Sequence, residues 1–177
     1  SIVPFIKKPQ QFVEKLRSLG IYSIARIACF ADPKLPHRFP DLAIQDARKG
    51  RGLWRSWGTG ETWLDPYNPR NHDWIVALAE EVAALGFDEI QLDYIRWPVD
   101  KGTKYASYPS QSETHRRVIL RGLLARVDAA LHRPLAVDVF GLTAWHKDDR
   151  AGLGQALEEW TDYVDVISPM LYLNAMK

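Results

Sequence analysis

Polar and apolar side chains alternate along residues 87–98, a stretch that follows Gly86 and ends at Pro98. One face of the alternation holds Ile90, Leu92 and Tyr94. The other face holds Glu89, Gln91 and Asp93. A repeat of two residues is typical of a β-strand that has one apolar and one polar side. The pattern therefore predicts a strand across residues 87–98, with its carboxylates on one face.

Segments with helical periodicity separate this strand from other short β-type runs. The predicted strands cover residues 22–30, 87–98, 135–140 and 164–172. The predicted helices cover residues 9–20, 73–85, 113–131 and 153–160, and Asn71 or His72 is expected to cap the second one. Because helices and not short hairpin turns connect the strands, we expect a parallel sheet whose strands are adjacent in chain order.

This rhythm predicts an α/β fold of the parallel (β/α)8 TIM-barrel type. Four strands, or five with residues 2–6, are fewer than eight, and the chain's 177 residues are fewer than the roughly 250 of a complete barrel. We therefore expect one domain across residues 1–177, an incomplete barrel of about four to five β/α units. Its open edges would need missing chain segments or a partner to supply the remaining strands.

Composition narrows the classes of partner. The chain is 46% hydrophobic and 25% charged, with a formal net charge of +1, so nothing in its overall charge predicts a nucleic-acid partner. No apolar run approaches the roughly 20 residues that span a bilayer. The first residue is Ser1, which indicates a processed product or an excised piece. Cys29 is the only cysteine, and its apolar neighbours favour a buried residue over a nucleophile.

A long connection between residues 31 and 71 is rich in proline, glycine and aromatic residues. It contains Trp54, Trp57 and Trp63, together with several arginines. Loops of this length in a compact domain are often functional. Flat apolar rings beside hydrogen-bond donors suit stacking on sugar rings, whereas a cluster of aromatics that anchors the loop is the structural alternative. The sequence leaves both interpretations open.

Two aspartates qualify as a catalytic pair. Asp93 and Asp138 each lie near the carboxyl end of a predicted strand, which is where barrels of this type place their chemistry. Cleavage of a glycosidic bond requires two carboxyl groups that face a common space. Asp165 begins its strand and Glu89 lies deeper in its own strand, so neither is expected to act in catalysis.

The spacing of neighbouring strands favours a retaining mechanism in which Asp93 is the nucleophile and Asp138 the acid. An acid needs a raised pKa, which burial or the partner's charge can supply, while a nearby arginine opposes it. Arg26 lies in the middle of its predicted strand and Arg96 follows Asp93. Arg26 is expected either to pair with a carboxylate or to bind substrate, and one side chain can do both.

Residues 88–98, with the sequence DEIQLDYIRWP, resemble the signature of a bacterial family of glycosyl hydrolase domains with a predicted TIM-barrel fold. Further blocks resemble the same family in the same order: IARI at 24–27, FADP at 30–33, WLDPY at 63–67, VDVFG at 137–141 and DVISPMLY at 165–172. The family's domain has further strands on both sides, so the chain resembles its middle portion.

The resemblance implies a glycoside hydrolase that acts on a polysaccharide and is secreted or held in the cell envelope. No cofactor and no metal are expected. We assign substrate binding to side chains near the aspartate pair and in these motifs, namely Arg26, Trp54, Trp63, Gln91, Tyr94, Arg96 and Tyr172.

Two alternatives remain in view. One is a carbohydrate-binding or cell-envelope module that has the barrel scaffold but no catalytic activity. The other is a metal-dependent hydrolase that uses Asp and His. The five histidines do not have the spacing of metal ligands on one helical face, so the second alternative is disfavoured.

Overall fold

The computed structural model describes residues 6–50, 52–144, 149 and 152–172. The predicted strand at residues 2–6 lies outside these residues, apart from Ile6. In chain order the helices and strands are α1 (Pro9–Ser18), β1 (Ile24–Ala28), α2 (Leu35–Arg38), β2 (Gln45–Asp46), α3 (Pro69–Ala84), β3 (Glu89–Asp93), β4 (Ala106–Ser107), α4 (Arg116–Ala130), β5 (Leu135–Phe140) and β6 (Val166–Met170).

The main sheet has the order β1-β3-β5-β6, and all its neighbouring strands are parallel. This confirms the prediction of parallel strands that are adjacent in chain order. The short strands β2 and β4 form a separate antiparallel pair from the two long loops that follow β1 and β3. The described sheet therefore has the strand arrangement of half a (β/α)8 barrel.

The apolar core lies between the sheet and the helices α3 and α4. Helix α3 buries Ile75 and Ala79, and α4 buries an apolar stripe in the same layer. From the sheet, Ile90 and Leu92 of β3 are fully buried. The opposite face of β1 is open, because Ile24, Arg26 and Ala28 are exposed. No helix among the described residues is long and apolar enough to cross a membrane.

Helix α3 begins four residues before the predicted start, so the prediction of its cap was wrong. Asn68 caps the helix by accepting a hydrogen bond of 3.0 Å from the Arg70 backbone N–H, and Pro69 occupies the first turn. This is the favoured arrangement, since proline has no N–H to leave unsatisfied. Asn71 is inside the helix and donates to the Leu42 and Asp65 carbonyls.

Three further predictions differ from the structure. Strand β3 ends at Asp93 because Tyr94 has a φ of 52°, which turns the chain out of the sheet. The predicted helix at residues 153–160 is reduced to a 3-10 turn at Leu157–Glu159. Pro169 does not interrupt β6, since the strand continues to Met170. Strand β6 is an edge of the described sheet, where a missing N–H is tolerated.

Two glycines test the packing of α4 against the loop that precedes β6. Gly154 has a φ of 78°, and a Cβ there would lie 2.9 Å from the Trp97 ring and 3.0 Å from Leu120 Cδ1. We expect Gly154→Ala to lower the free energy of unfolding by about 2 kcal/mol or more, from strain and overpacking. The measurement is chemical denaturation.

The control is Gly122→Ala, in the exposed middle of α4, where no atom lies within 4 Å of a new Cβ. There alanine should raise the free energy of unfolding by about 0.5–1 kcal/mol. A loss at residue 122 as large as the loss at residue 154 would contradict the packing described here.

Candidate active site

Two carboxyl groups lie side by side at the carboxyl ends of neighbouring strands. Asp93 is the last residue of β3, and Asp138 lies two residues before the end of β5. Gln91 pairs with Ala136, so Asp93 comes opposite Asp138 two residues further along. Opposed residues of a parallel pair share one face of the sheet. The two aspartates are only 6% and 8% exposed.

Arg26 lies between these carboxylates. Its Nε donates a hydrogen bond of 2.9 Å to Asp93 Oδ2, and a second guanidinium nitrogen donates to the same oxygen. The same Nε lies 3.9 Å from Asp138 Oδ2. The sequence prediction that Arg26 pairs with a carboxylate agrees with this geometry. One half-exposed guanidinium thus forms ion pairs with two nearly buried carboxyl groups.

The turn after β3 completes the binding of Asp93. The Tyr94 backbone N–H donates a hydrogen bond of 2.6 Å to Asp93 Oδ1. A positive φ is uncommon for a tyrosine and costs some conformational free energy. Here it ends the strand immediately after Asp93. Both oxygens of Asp93 therefore accept hydrogen bonds.

Asp138 is in a different environment. Gln91 Nε2 donates a hydrogen bond of 2.7 Å to Asp138 Oδ1. Burial raises the pKa of Asp138, and the charge of Asp93 and a hydrogen bond to it act in the same direction. The Gln91 hydrogen bond and the Arg26 charge lower the pKa but do not outweigh these effects. The two carboxyl groups thus have unlike partners, since Asp93 accepts from a cation and a backbone N–H and Asp138 accepts from a neutral amide.

Aromatic rings and a second guanidinium form the rim beyond the pair. The Arg96 Cζ lies 5.0 Å from the Trp63 ring centroid, 5.4 Å from that of Tyr94 and 5.6 Å from that of Phe140. No carboxylate among the described residues forms an ion pair with Arg96. Burial lowers the pKa of Arg96. The rim is therefore cationic and aromatic.

The structure brings together most of the side chains that the sequence indicated. The group consists of Asp93, Asp138, Arg26, Gln91, Tyr94 and Arg96. Tyr172 is 62% exposed, two residues beyond the end of β6. The predicted substrate contacts of these residues remain predictions.

The two tryptophans chosen from the long loop are core residues. Trp54 is fully buried, and its Nε1 donates a hydrogen bond of 2.9 Å to the Gly102 carbonyl. Trp63 is 3% exposed and packs edge-on against Tyr94. Neither indole offers an open face to a sugar, so both support the loop and the rim. Trp57, which was not among the predicted substrate-binding residues, is the exposed tryptophan of this loop at 51%.

Other reactive groups lie apart from this chemistry. In the described part of the chain no three His, Cys, Asp or Glu side chains are grouped to hold a metal ion. Cys29 is buried, and burial raises the pKa of its thiol, so the reactive thiolate is disfavoured. Cys29 is therefore a small core residue, as the sequence indicated.

The chain is similar to known proteins in both sequence and structure. A model of the family described as "Putative glycosyl hydrolase domain" matches residues 2–175. The structure is similar to that of a hypothetical protein from Ruminiclostridium thermocellum ATCC 27405, with 30% sequence identity and a TM-score of 0.63. That match covers 78% of this chain and 74% of the other chain. No curated protein sequence matches the chain.

Two glycoside hydrolases share the fold at lower identity. An alpha-galactosidase from Thermus thermophilus in complex with stachyose is 21% identical with a TM-score of 0.58, over 90% of this chain and 30% of that one. The glycoside hydrolase domain of PelA from Pseudomonas aeruginosa is 15% identical with a TM-score of 0.59, over 92% and 55%. The chain therefore spans about a third to a half of these enzymes, and its α/β fold is that of a partial TIM barrel.

Removing the shared cation tests the pairing. In Arg26→Gln the nearly buried Asp93 would face Asp138 without compensation, and we expect the free energy of unfolding to fall by about 1–2 kcal/mol. A fully buried pair would lose about 3–5 kcal/mol, but Arg26 is half exposed. The control is Arg126→Gln, which breaks an exposed pair with Asp73 and should cost less than about 1 kcal/mol. Equal losses in urea denaturation would count against the shared-cation geometry.

The pKa of Asp138 predicts a dependence of stability on pH. Folding raises this pKa, so the folded protein holds the proton more tightly than the unfolded chain, and Asp138 costs stability as the pH rises through that range. Asn is uncharged and can accept the same hydrogen bond from Gln91. We expect Asp138→Asn to melt above the parent protein at about pH 7, and the gain to shrink toward about pH 4.

Melting temperatures measured across this pH range check the prediction. The exposed Asp128 provides the control, since Asp128→Asn should produce no such trend. A gain that stays constant or grows toward low pH would show that the proton on Asp138 is not the cause.

Proposed function

The chain belongs to this family of glycosyl hydrolase domains, and from that premise we propose that it cleaves the glycosidic bonds of a polysaccharide by a two-carboxylate mechanism. One observation carries the proposal: Asp93 and Asp138 are adjacent, share Arg26 and have unlike environments. Glycoside hydrolysis needs an ionised carboxylate and a protonated carboxylic acid that face one space.

The environments of the two acids support their roles. Asp93 accepts hydrogen bonds from Arg26 and from the Tyr94 backbone N–H, which orient the carboxylate, and it would attack the anomeric carbon as the nucleophile. Asp138, with its raised pKa, would donate its proton to the leaving oxygen as the glycosidic bond breaks. Water would then give a proton back to Asp138 and hydrolyse the glycosyl ester on Asp93.

The close approach of the acids favours retention over inversion. Inverting enzymes hold their carboxyl groups about 6.5–9.5 Å apart to leave room for water, and retaining enzymes about 5 Å apart. Asp93 and Asp138 lie opposite each other on neighbouring strands, whose backbones are about 4.8 Å apart. This spacing is close to the separation of the carboxyl groups in retaining enzymes and supports a retaining mechanism.

An apolar cleft lies at the open edge of the sheet, beside β1. This cleft of about 730 Å³ runs beside β1 and α3 and is lined by residues that include Ala28, Ile75 and Leu78. Neither catalytic aspartate lines it. We propose that further barrel strands, from the same polypeptide or from a partner, cover this apolar cleft.

We also propose that the enzyme works outside the cytoplasm, secreted or in the cell envelope, where polysaccharides are found.

A carbohydrate-binding or envelope module without turnover is the second candidate. It is favoured by the exposure of Arg26, since an active site that excludes water strengthens the electrostatic interactions on which catalysis depends. Turnover itself separates the two functions.

The decisive experiment replaces each acid. We expect Asp93→Asn to abolish turnover on a polysaccharide panel, and Asp138→Asn to lower it by about 10²–10⁴. Aryl glycosides with a good leaving group need little protonation, so they should lose much less with Asp138→Asn. Added azide should restore some turnover to Asp93→Gly by taking the place of the nucleophile.

Asp128→Asn on the exposed face of α4 serves as the control for these rates. Near-normal turnover by Asp93→Asn would remove the nucleophile assignment. Binding of a polysaccharide without any turnover by the parent protein would select the non-catalytic module.

A further inference from the structure

An exposed tryptophan packs against a partly buried tyrosine where the loops after β1 and β3 meet. The rings of Trp57 and Tyr105 are 5.7 Å apart between centroids, at an interplanar angle of 36°. Trp57 is 51% exposed, whereas Trp54 and Trp63 of the same loop are buried. Core packing therefore explains the two buried indoles and leaves Trp57 without a structural reason to be at the surface.

The position of Trp57 is set by its surroundings. Asp100 Oδ2 accepts hydrogen bonds of 2.6 Å from Ser56 Oγ and 3.1 Å from the Trp57 backbone N–H. The five-membered ring of the indole lies on Gly102, where a Cβ would come within 2.6 Å of the ring. Asp100 thus fixes the backbone at Trp57, and Gly102 supports one face of the indole ring. A surface ring held in this way is preorganised for binding, because little freedom remains to be lost.

Two cations flank the rings. The Arg48 Cζ lies 4.4 Å from the Tyr105 centroid and 5.9 Å from that of Trp57. The Lys104 Nζ lies 5.0 Å and 5.9 Å from the same two centroids. Arg48 forms an ion pair with Asp46. In the described residues no carboxylate pairs with Lys104, so Lys104 is the cation of this cluster that can pair with an anionic ligand.

The fold places this cluster on the same end of the sheet as the candidate catalytic pair. The loop that carries Trp57 leaves the carboxyl end of β1, and the loop that carries Tyr105 leaves the carboxyl end of β3. The carboxyl ends of parallel strands meet at one edge of a sheet. A long polymer bound at the catalytic end can therefore reach both sites.

We propose that Trp57, Tyr105, Arg48 and Lys104 form a second binding site for a polysaccharide whose sugars carry carboxylate groups. The Trp57 indole provides the flat apolar face for a sugar ring, and Lys104 provides the counter-charge for a carboxylate. Arg48, held by Asp46, packs against the Tyr105 ring. Only the choice of a carbohydrate rests on the proposed function. The fixed ring and the flanking cations are independent of Asp93 and Asp138.

Binding can be measured without turnover, by affinity electrophoresis of the protein in gels that contain polygalacturonate or the neutral polymer dextran. We expect retardation by polygalacturonate, and a rise of about tenfold in the apparent Kd for Trp57→Ala. Gly102→Ala should weaken binding in the same way, because its Cβ displaces the ring. Lys104→Met should weaken binding, and added salt should reduce it further.

Matched controls distinguish this site from general adhesion. Trp74 is 50% exposed on α3, so Trp74→Ala removes an equally exposed indole elsewhere. Lys34→Met removes an exposed lysine near α2. Both should bind polygalacturonate as the parent does, and melting temperatures of all the variants report whether they are folded.

Several outcomes would overturn the proposal. These are no retardation of the parent protein by polygalacturonate, unchanged binding by Trp57→Ala, and equal losses with Trp74→Ala. Dextran binding as tight as polygalacturonate binding would overturn the acidic class of ligand. Failure of the proposed hydrolysis would show separately, as missing turnover in a protein that still binds.

Discussion

Two carboxyl groups that lie next to each other, with little water around them, repel each other when charged, and a shared cation reduces this repulsion. Arg26 is the cation shared by Asp93 and Asp138. The parallel register of β1, β3 and β5 brings the three side chains together on one face of the sheet. A slip of one residue in either pairing would turn a carboxylate to the opposite face of the sheet. Strand register, site electrostatics and the proposed chemistry therefore depend on one another.

The loops above the sheet divide their aromatic residues between support and exposure. Trp54 and Trp63 lie beneath the loop after β1 and join it to the main hydrophobic core. That core lets Trp57 stand at the surface in a defined position, together with Tyr105 from the next loop. A loop without such buried residues would lose more conformational entropy when it binds a ligand.

The open edge of the sheet at β1 affects the electrostatics of the site. Arg26 is half exposed because no described strand lies beyond β1, and water weakens its attraction to both carboxylates. A strand added at this edge would exclude water and strengthen those interactions. The acidity of Asp138 would then depend on the completeness of the barrel, since Arg26 opposes the effects that raise its pKa.

The sequence by itself determined the parallel order of the four strands and placed Asp93, Asp138 and Arg26 on their polar face. These features follow from local periodicity and from the spacing of strands by helices, which a single chain displays directly. Tertiary structure decided what depends on distant partners. Tyr94 leaves the strand to donate to Asp93, and the three similar tryptophans of one loop separate into two buried rings and one exposed ring. No local pattern distinguishes those indoles, because burial is determined by the residues that pack against each ring.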